Sequence, residues 1–262
     1  MPAIEITTTI PCKNMCVYCP QSTLLKKYGR QDQFMTFDTL KQCLSTIPKN
    51  VEIHFSGFAE CFLNPLCTSF MKYVVENNYS HIILYTTLVG LKYEQIDEIK
   101  DIQFETMCLH LPDNNGYMKC NVSDEYVRIV QKFLEVFPQC TSIVCYGPLH
   151  SKLVPVIKNH HGGILHSRAN NLIDAPQNKR LSGKIGCGAT GCTRPLDRVE
   201  LLPNGNVSLC CMDYGLKHII GNLLTDTWKS LFKSKAYQYI EQGLDDDILD
   251  ILCRTCQEAR QL

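Results

Sequence analysis

Three cysteines, Cys12, Cys16 and Cys19, stand within eight residues in "TIPCKNMCVYCPQS", directly after the first strand-like run of the chain. The feature restricts the local fold. Thiols at this spacing must share one loop at the end of a regular element, where they can turn towards a common point. Three is also an incomplete number, since a structural zinc site takes four ligands and disulfides take cysteines in pairs. The chain holds 16 cysteines, and "MPAIEITTTI" at its start lacks the basic flank and apolar run of a secretion leader. A reducing compartment is therefore expected, where clustered thiols bind metal rather than each other. A four-iron cubane held by three thiolates keeps one iron open to a small chelating molecule. The alternative is a zinc ion completed by a distant His or Cys.

The other sequence properties narrow the function class. Lys+Arg and Asp+Glu number 26 each, so no overall field draws nucleic acid or an anionic membrane. The longest apolar stretch, "HIILYTTLVGL", is too short to cross a bilayer. A cytoplasmic protein with no nucleic-acid or membrane partner is the expectation.

From residue 1 to about 170, β-rich runs alternate with helical ones. "AIEITTTI", "VEIHFS", "SHIILYTT", "FETMCLHL" and "TSIVCYG" read as strands, with "GGILHSR" as a sixth. Helices are expected in "TFDTLKQCLSTI", in "NPLCTSFMKYVVENN" with Asn64 as its N-cap, in "EQIDEIK", and in "SDEYVRIVQKFLEVF". This is an α/β repeat with about six parallel strands, curved or barrel-like, whose sites lie on loops at the strand C-termini. Cys43, Cys67, Cys108, Cys140 and Cys145 fall within these elements and are expected as small core hydrophobes. Residues 171–262 form a second unit. It carries a hairpin around Asn204-Gly205 and a helix with Trp228, Leu231, Phe232, Ala236 and Ile240 on one face. Cys192, Cys210, Cys253 and Cys256 in this unit could fully ligate a zinc ion or a cubane.

Cys12-x3-Cys16-x-Tyr18-Cys19 after a first strand resembles the radical SAM superfamily. "HFSGFAECF" after the second strand is similar to that family's Gly-rich turn, with Gly57 and Glu60 in place and Ala59 where a second Gly is usual. The C-terminal cysteines, with Gly205-x4-Cys210 and Cys253-x2-Cys256, resemble its SPASM or "twitch" domain. The resemblance implies a partial (β/α)6 TIM-like barrel over 1–170 and a small C-terminal α+β twitch/SPASM-like cluster-binding domain over 171–262. It implies two [4Fe–4S] clusters, one on Cys12, Cys16 and Cys19 and an auxiliary one on Cys192, Cys210, Cys253 and Cys256. Cys187 and Cys211 are left unligated. S-adenosylmethionine (SAM) would be bound by Tyr18, Gly57, Phe58, Ala59, Glu60, Thr87, His110 and Arg168, the last two also being candidates for catalysis.

The implied activity is reductive cleavage of SAM to a 5′-deoxyadenosyl radical. A net two-electron oxidation of a small polar, sugar- or cyclitol-like substrate would follow through the auxiliary cluster, as in a dehydrogenase. The first motif begins at Cys12 and leaves no room before it for a peptide-recognition domain, which favours a small substrate. An electron donor such as flavodoxin or ferredoxin is implied as a partner. Two alternatives stay open. One is a peptide-modifying enzyme or an epimerase, with Cys61, Cys120 or Cys187 as hydrogen donor; the other is a zinc-binding interaction protein.

Overall fold

A computed structural model of the chain describes residues 1–31, 33–187 and 198–262. Six parallel strands follow one another in order: β1 (Ala3–Ile6), β2 (Glu52–Phe55), β3 (Ile82–Thr86), β4 (Thr106–His110), β5 (Ser142–Cys145) and β6 (His161–Gly162). The helices α1 (Gln21–Tyr28) and α2 (Phe37–Leu44) lead from β1 to β2. Then α3 (Cys67–Glu76), α4 (Gln95–Ile99) and α5 (Asp124–Val136) make the next three crossovers. The expected α/β barrel-like core is present, with a weak last member. The sixth strand is two exposed residues at His161–Gly162, and "ILHSR" after it is irregular.

Alternation along the strands explains the layers. Ile4 and Ile6, Ile53 and Phe55, Ile82 and Leu84, and Met107 and Leu109 all join the main buried cluster, together with Leu40, Phe70 and Phe133 from the helices. Residues that alternate with this set, Glu5, His54, Tyr85 and His110, line a cavity on the opposite face. One face of the sheet is thus apolar and covered by helices, and the other is polar and open. Cys43, Cys67, Cys108, Cys140 and Cys145 are buried, as expected.

The C-terminal region extends the sheet of the barrel. Its hairpin, β8 (Arg198–Leu201) and β9 (Asn206–Ser208), lays β8 parallel to β1, and β10 (Ile219–Asn222) continues from β9. One nine-stranded sheet results, in the order β10-β9-β8-β1-β2-β3-β4-β5-β6. The turn forms at Asn204-Gly205 as read, with Gly205 at φ 82°. A second, two-stranded sheet pairs β7 (Ile185–Cys187) with β11 (Ala259–Gln261).

Two helix readings need correction. Asn64 does not cap α3. Its amide spans the carbonyls of Thr8 and Met35 while its Oδ1 accepts from the Leu66 N–H, so the helix starts only at Cys67. The single helix expected around Trp228 to Ile240 is two, α6 (Trp228–Leu231) and α7 (Lys235–Asp245). Ser234 ends the periodic run by capping α7 through the Tyr237 N–H.

Candidate functional site

The cavity on the open face holds about 320 Å³ and is ringed by the loops that follow β1, β2, β3, β4 and β8–β9. Cys12, Cys16 and Cys19 all line it, as do Tyr18, Gly57, Phe58, Ala59, Glu60, Thr87, His110 and Arg168. Every residue expected at the first site therefore faces one space. Among the described residues, no three Cys, His, Asp or Glu side chains close on a point at metal-bonding distance. The three thiols share the cavity wall without having converged.

Burial pushes the Cys12 thiol up to about 11 and the Cys16 thiol up to about 12, and the neighbouring thiols of the loop add to both. A cationic metal group would reverse this, because it removes the thiol protons and neutralises the mutual repulsion. The Cys19 thiol accepts from Gln21 Nε2 at 3.4 Å and donates to the Tyr214 hydroxyl oxygen at 3.4 Å. Tyr18 sits behind the loop, its ring stacked on Tyr146 at 3.9 Å.

Glu60 closes the opposite wall. Its Oε1 accepts from the Thr86 hydroxyl at 2.7 Å and the Phe62 N–H at 3.2 Å. Its Oε2 accepts from the Thr87 N–H at 2.6 Å and the Thr87 hydroxyl at 2.7 Å. Burial still holds this carboxyl above its ordinary range, against the pull of those donors. Thr87 Oγ1 gives its proton to Glu60 and so accepts from Asn14 Nδ2 at 2.8 Å, which fixes the Asn14 amide orientation. Asn14 Oδ1 is left buried with no partner, beside the cysteines. An orphaned acceptor on a cavity wall fits a ligand that brings N–H or O–H donors.

The turn before Glu60 depends on Gly57, which adopts φ +95°. A Cβ there would fall inside the envelope of Glu200 Oε1 and Thr7 Oγ1. Glu200 comes from β8 and is wholly buried, and it accepts the Thr7 hydroxyl, which in turn accepts the Phe58 N–H at 2.8 Å. A C-terminal strand thus braces the loop that presents Glu60. Ala59 causes no distortion, because the left-handed residue of the turn is Gly57.

Arg168 reaches the cavity by a different route from the one expected. It lies in a tight left-handed turn, with Arg168, Ala169 and Asn170 at φ 53°, 52° and 63°. Three consecutive non-Gly residues in this region carry strain. The Ser167 hydroxyl, the Asn178 amide and Gln257 Oε1 hold them there. The turn sets the guanidinium beside Met212, 3.9 Å from its sulfur. His110 is depressed to about 4 by burial, with the Arg168 charge adding to the effect, so it is a neutral ring at pH 7.

Sequence reasoning did not single out Glu5, Asn14, His54, Ser56, Tyr85, Tyr146, Arg198 or Tyr214, all of which line the cavity, and read Cys211, which lines it too, only as an unligated neighbour of Cys210. Polar residues alternating with Ile and Phe in "AIEI" and "EIHFS" were the available sign of a wet inner face. Of the cysteines suggested as hydrogen donors, Cys61 is fully buried in the core and Cys120 is half-buried away from the cavity lining. Cys211 is the residue of that type on the wall.

The second constellation is only partly in view. Cys192 lies outside the described residues, as does the side chain of Cys187. Cys210 and Cys253 are buried and Cys256 is half-buried. Burial pushes Cys210 well up, and the Cys211 and Cys256 thiols and Asp213 contribute. Arg254, fully buried inside the Cys253–Cys256 turn, donates to the carbonyls of Gly183 and Gly243 at 2.6 Å each and also reaches Leu181 and Leu244. Asp213 fixes the loop after Cys210 by accepting from Ser208, Lys217 and His218.

His218 Nε2 accepts the Leu252 N–H at 2.9 Å, joining the hairpin to the cysteine turn. This requires the neutral ring, and burial lowers its pKa to about 4, with Lys217 adding to the effect. The folded value lies below the ordinary 6.5, so the contribution is whole above pH 6.5 and is lost as pH falls towards 4. Roughly 3 kcal/mol is at stake. Urea midpoints of metal-free protein should drop across that window, and His218→Asn should flatten the drop. An unchanged slope in the variant would show that other groups carry it.

Comparison with known proteins bears on the C-terminal segment and on the fold. Residues 192–257 match the SPASM iron–sulfur cluster-binding domain family. The fold as a whole is similar to that of BtrN in complex with AdoMet and 2-DOIA, with a TM-score of 0.63 and 17% identity over 100% of this chain and 94% of that one. It is also similar to anSMEcpe with bound AdoMet (TM-score 0.55, 13% identity, 91% of this chain and 79% of that one). SuiB of Streptococcus suis bound to S-adenosylmethionine gives 0.57 at 11% identity, over 91% and 67%. No curated protein sequence matches the chain. Among the described residues, no helix is long and apolar enough to cross a membrane.

Proposed function

We propose that this chain, a radical SAM superfamily protein with a C-terminal SPASM-type domain, binds a [4Fe–4S] cluster and SAM in the open-face cavity and oxidises a small polar substrate there. The observation that carries the reading is the meeting of three half-buried cysteines and the Glu60 carboxylate around one cavity. Cys12, Cys16 and Cys19 would hold the cluster and leave one iron for the amino-acid end of SAM. Glu60, kept in place by Thr86 and Thr87, is the acceptor for its ammonium group, and Tyr18 and Phe58 flank the apolar part of the ligand. When bound, the pair supplies a 5′-deoxyadenosyl radical able to take hydrogen from an unactivated C–H bond.

The chain's own residues prepare the rest of the space. The inner strand face offers Glu5, His54, Ser56, Tyr85 and Arg198, a lining suited to hydroxyl or amine groups and poor for a lipid. Tyr214 and Arg168 complete the lining. The second cluster, on Cys192, Cys210, Cys253 and Cys256, would take up an electron from the substrate and make the outcome a two-electron oxidation. A flavodoxin or ferredoxin would supply the first cluster, and the cytoplasm would be the compartment.

The test is anaerobic. Protein reconstituted with iron and sulfide, then given SAM and dithionite, should release 5′-deoxyadenosine and methionine. A cluster-replete sample that never does so overturns the proposal. Colourless protein with stoichiometric zinc would favour the interaction-protein alternative. Solvent deuterium appearing at a substrate carbon would favour epimerisation, with Cys211 as the donor to examine first.

A further inference from the structure

We propose that the outer face of the first cysteine loop is the docking surface for a small acidic one-electron carrier protein. Lys13 and Lys119 would form its electrostatic contacts and Met15 and Val17 its apolar centre. The inference rests on the reading above, since a carrier is needed only if the first site holds a redox group. Charge distribution is the first observation. The chain is neutral overall, yet Thr9 to Arg30 contains Lys13, Lys26, Lys27 and Arg30 and no acidic residue, and 114–122 contains Lys119 and none. These two segments are joined. The Val17 N–H donates to the Tyr117 carbonyl at 2.8 Å, and the Lys119 N–H donates to the Asn14 carbonyl at 2.9 Å. Two acid-free segments therefore lie edge to edge beside the metal-ligand candidates.

The second observation is which way the loop faces. Asn14 and Tyr18 are buried, whereas Lys13, Met15, Val17 and Lys119 are exposed. Met15 stays 63% exposed and Val17 46% exposed, so two apolar side chains meet water between two cations. Met15 holds φ 45°, a left-handed conformation that is uncommon for a side chain of its kind. Among the described residues neither lysine makes an ion pair. Unpaired cations around a small apolar centre are complementary to an acidic partner with an exposed redox edge. Such encounters are small and weak, and charge sets their rate more than their strength. Cys12, Cys16 and Cys19 are half-buried in this same loop, so a carrier seated on it is separated from the metal group by one loop. The step is a simple electron transfer. The carrier loses one electron, the metal group gains it, and no atom or proton changes place.

The experiment uses cluster-loaded protein with reduced flavodoxin and, separately, reduced ferredoxin as probes. At least one carrier should bind at low salt and lose affinity as salt rises. The Lys13→Glu/Lys119→Glu variant should weaken that binding roughly tenfold and slow carrier-driven bleaching of the cluster by a similar factor. Reduction by dithionite should be unchanged. Equal affinity for wild type and variant, or binding of neither carrier, overturns the proposal. So does a change in self-association in the variant, which would make the face a contact between copies. If dithionite itself fails to reduce wild-type protein, the reading of the first site falls, and this inference with it.

Discussion

Cys16→Ala protein, reconstituted anaerobically, is expected to carry about four irons per chain where the parent carries about eight, and to release no 5′-deoxyadenosine from SAM. Cys12, Cys16 and Cys19 line one cavity and none is deeply packed, so removing one sulfur leaves no large void in the core. The folded protein should survive. With two thiolates the first cluster loses a corner it cannot replace, because no further Cys or His of that loop faces the cavity. The C-terminal cysteines lie at a different site and should still load. Iron and sulfide analysis with the visible absorbance of the variant decides the matter. Full retention of iron would mean that the three cysteines do not ligate a cluster. The raised Cys12 and Cys16 thiols add a condition, since each must lose its proton to bind metal. Loading should therefore weaken as the reconstitution buffer is made more acidic.

Among the described glycines Gly57 has the least room for a methyl group, and Gly57→Ala should be strongly damaging. The new Cβ would strike Glu200 Oε1 and Thr7 Oγ1, and the φ of +95° disfavours any side chain. Neither neighbour can withdraw cheaply, as both lie buried between β1 and β8 and hold the Phe58 N–H in place. A loss of roughly 3 kcal/mol or more is expected from the clash and the strained backbone together. The same shift would move Glu60 away from Thr86 and Thr87, so SAM binding should fall further than stability alone explains. Denaturant unfolding and equilibrium binding of SAM, measured on the same preparation, separate the two effects. If both match the parent, the turn is not braced as described.

Much of the barrel was readable because its first five strands are compact β-rich runs and most of its crossovers show helical spacing, whereas α1, β7, β10 and β11 carry no such sign. What could not be read were effects of distant chain on local pattern. Asn64 looks like a helix cap beside Pro65, yet Thr8 and Met35 take its amide because β1 and the segment before α2 pass close to it. Trp228 to Ile240 has one periodicity and two helices, since Ser234 caps in mid-run. The site shows the same division. Cysteine spacing and the Gly57–Glu60 turn marked the residues that share the cavity, because each motif is contiguous. Asn14, Tyr214 and Glu200 escaped notice, as their meaning comes only from what the fold sets against them: Thr87, Cys19 and Gly57. Arg168 was assigned to a strand end and instead sits on a left-handed turn, which no pattern of hydrophobicity records.

The parallel pairing of β1 with β8 has a consequence for how the protein is made. While the chain is being synthesised, β1 has one partner and one bare edge until Leu201 has emerged, nearly two hundred residues after Ile6. The wall that Arg198, Cys211 and Tyr214 contribute is therefore the last part of the cavity to be made.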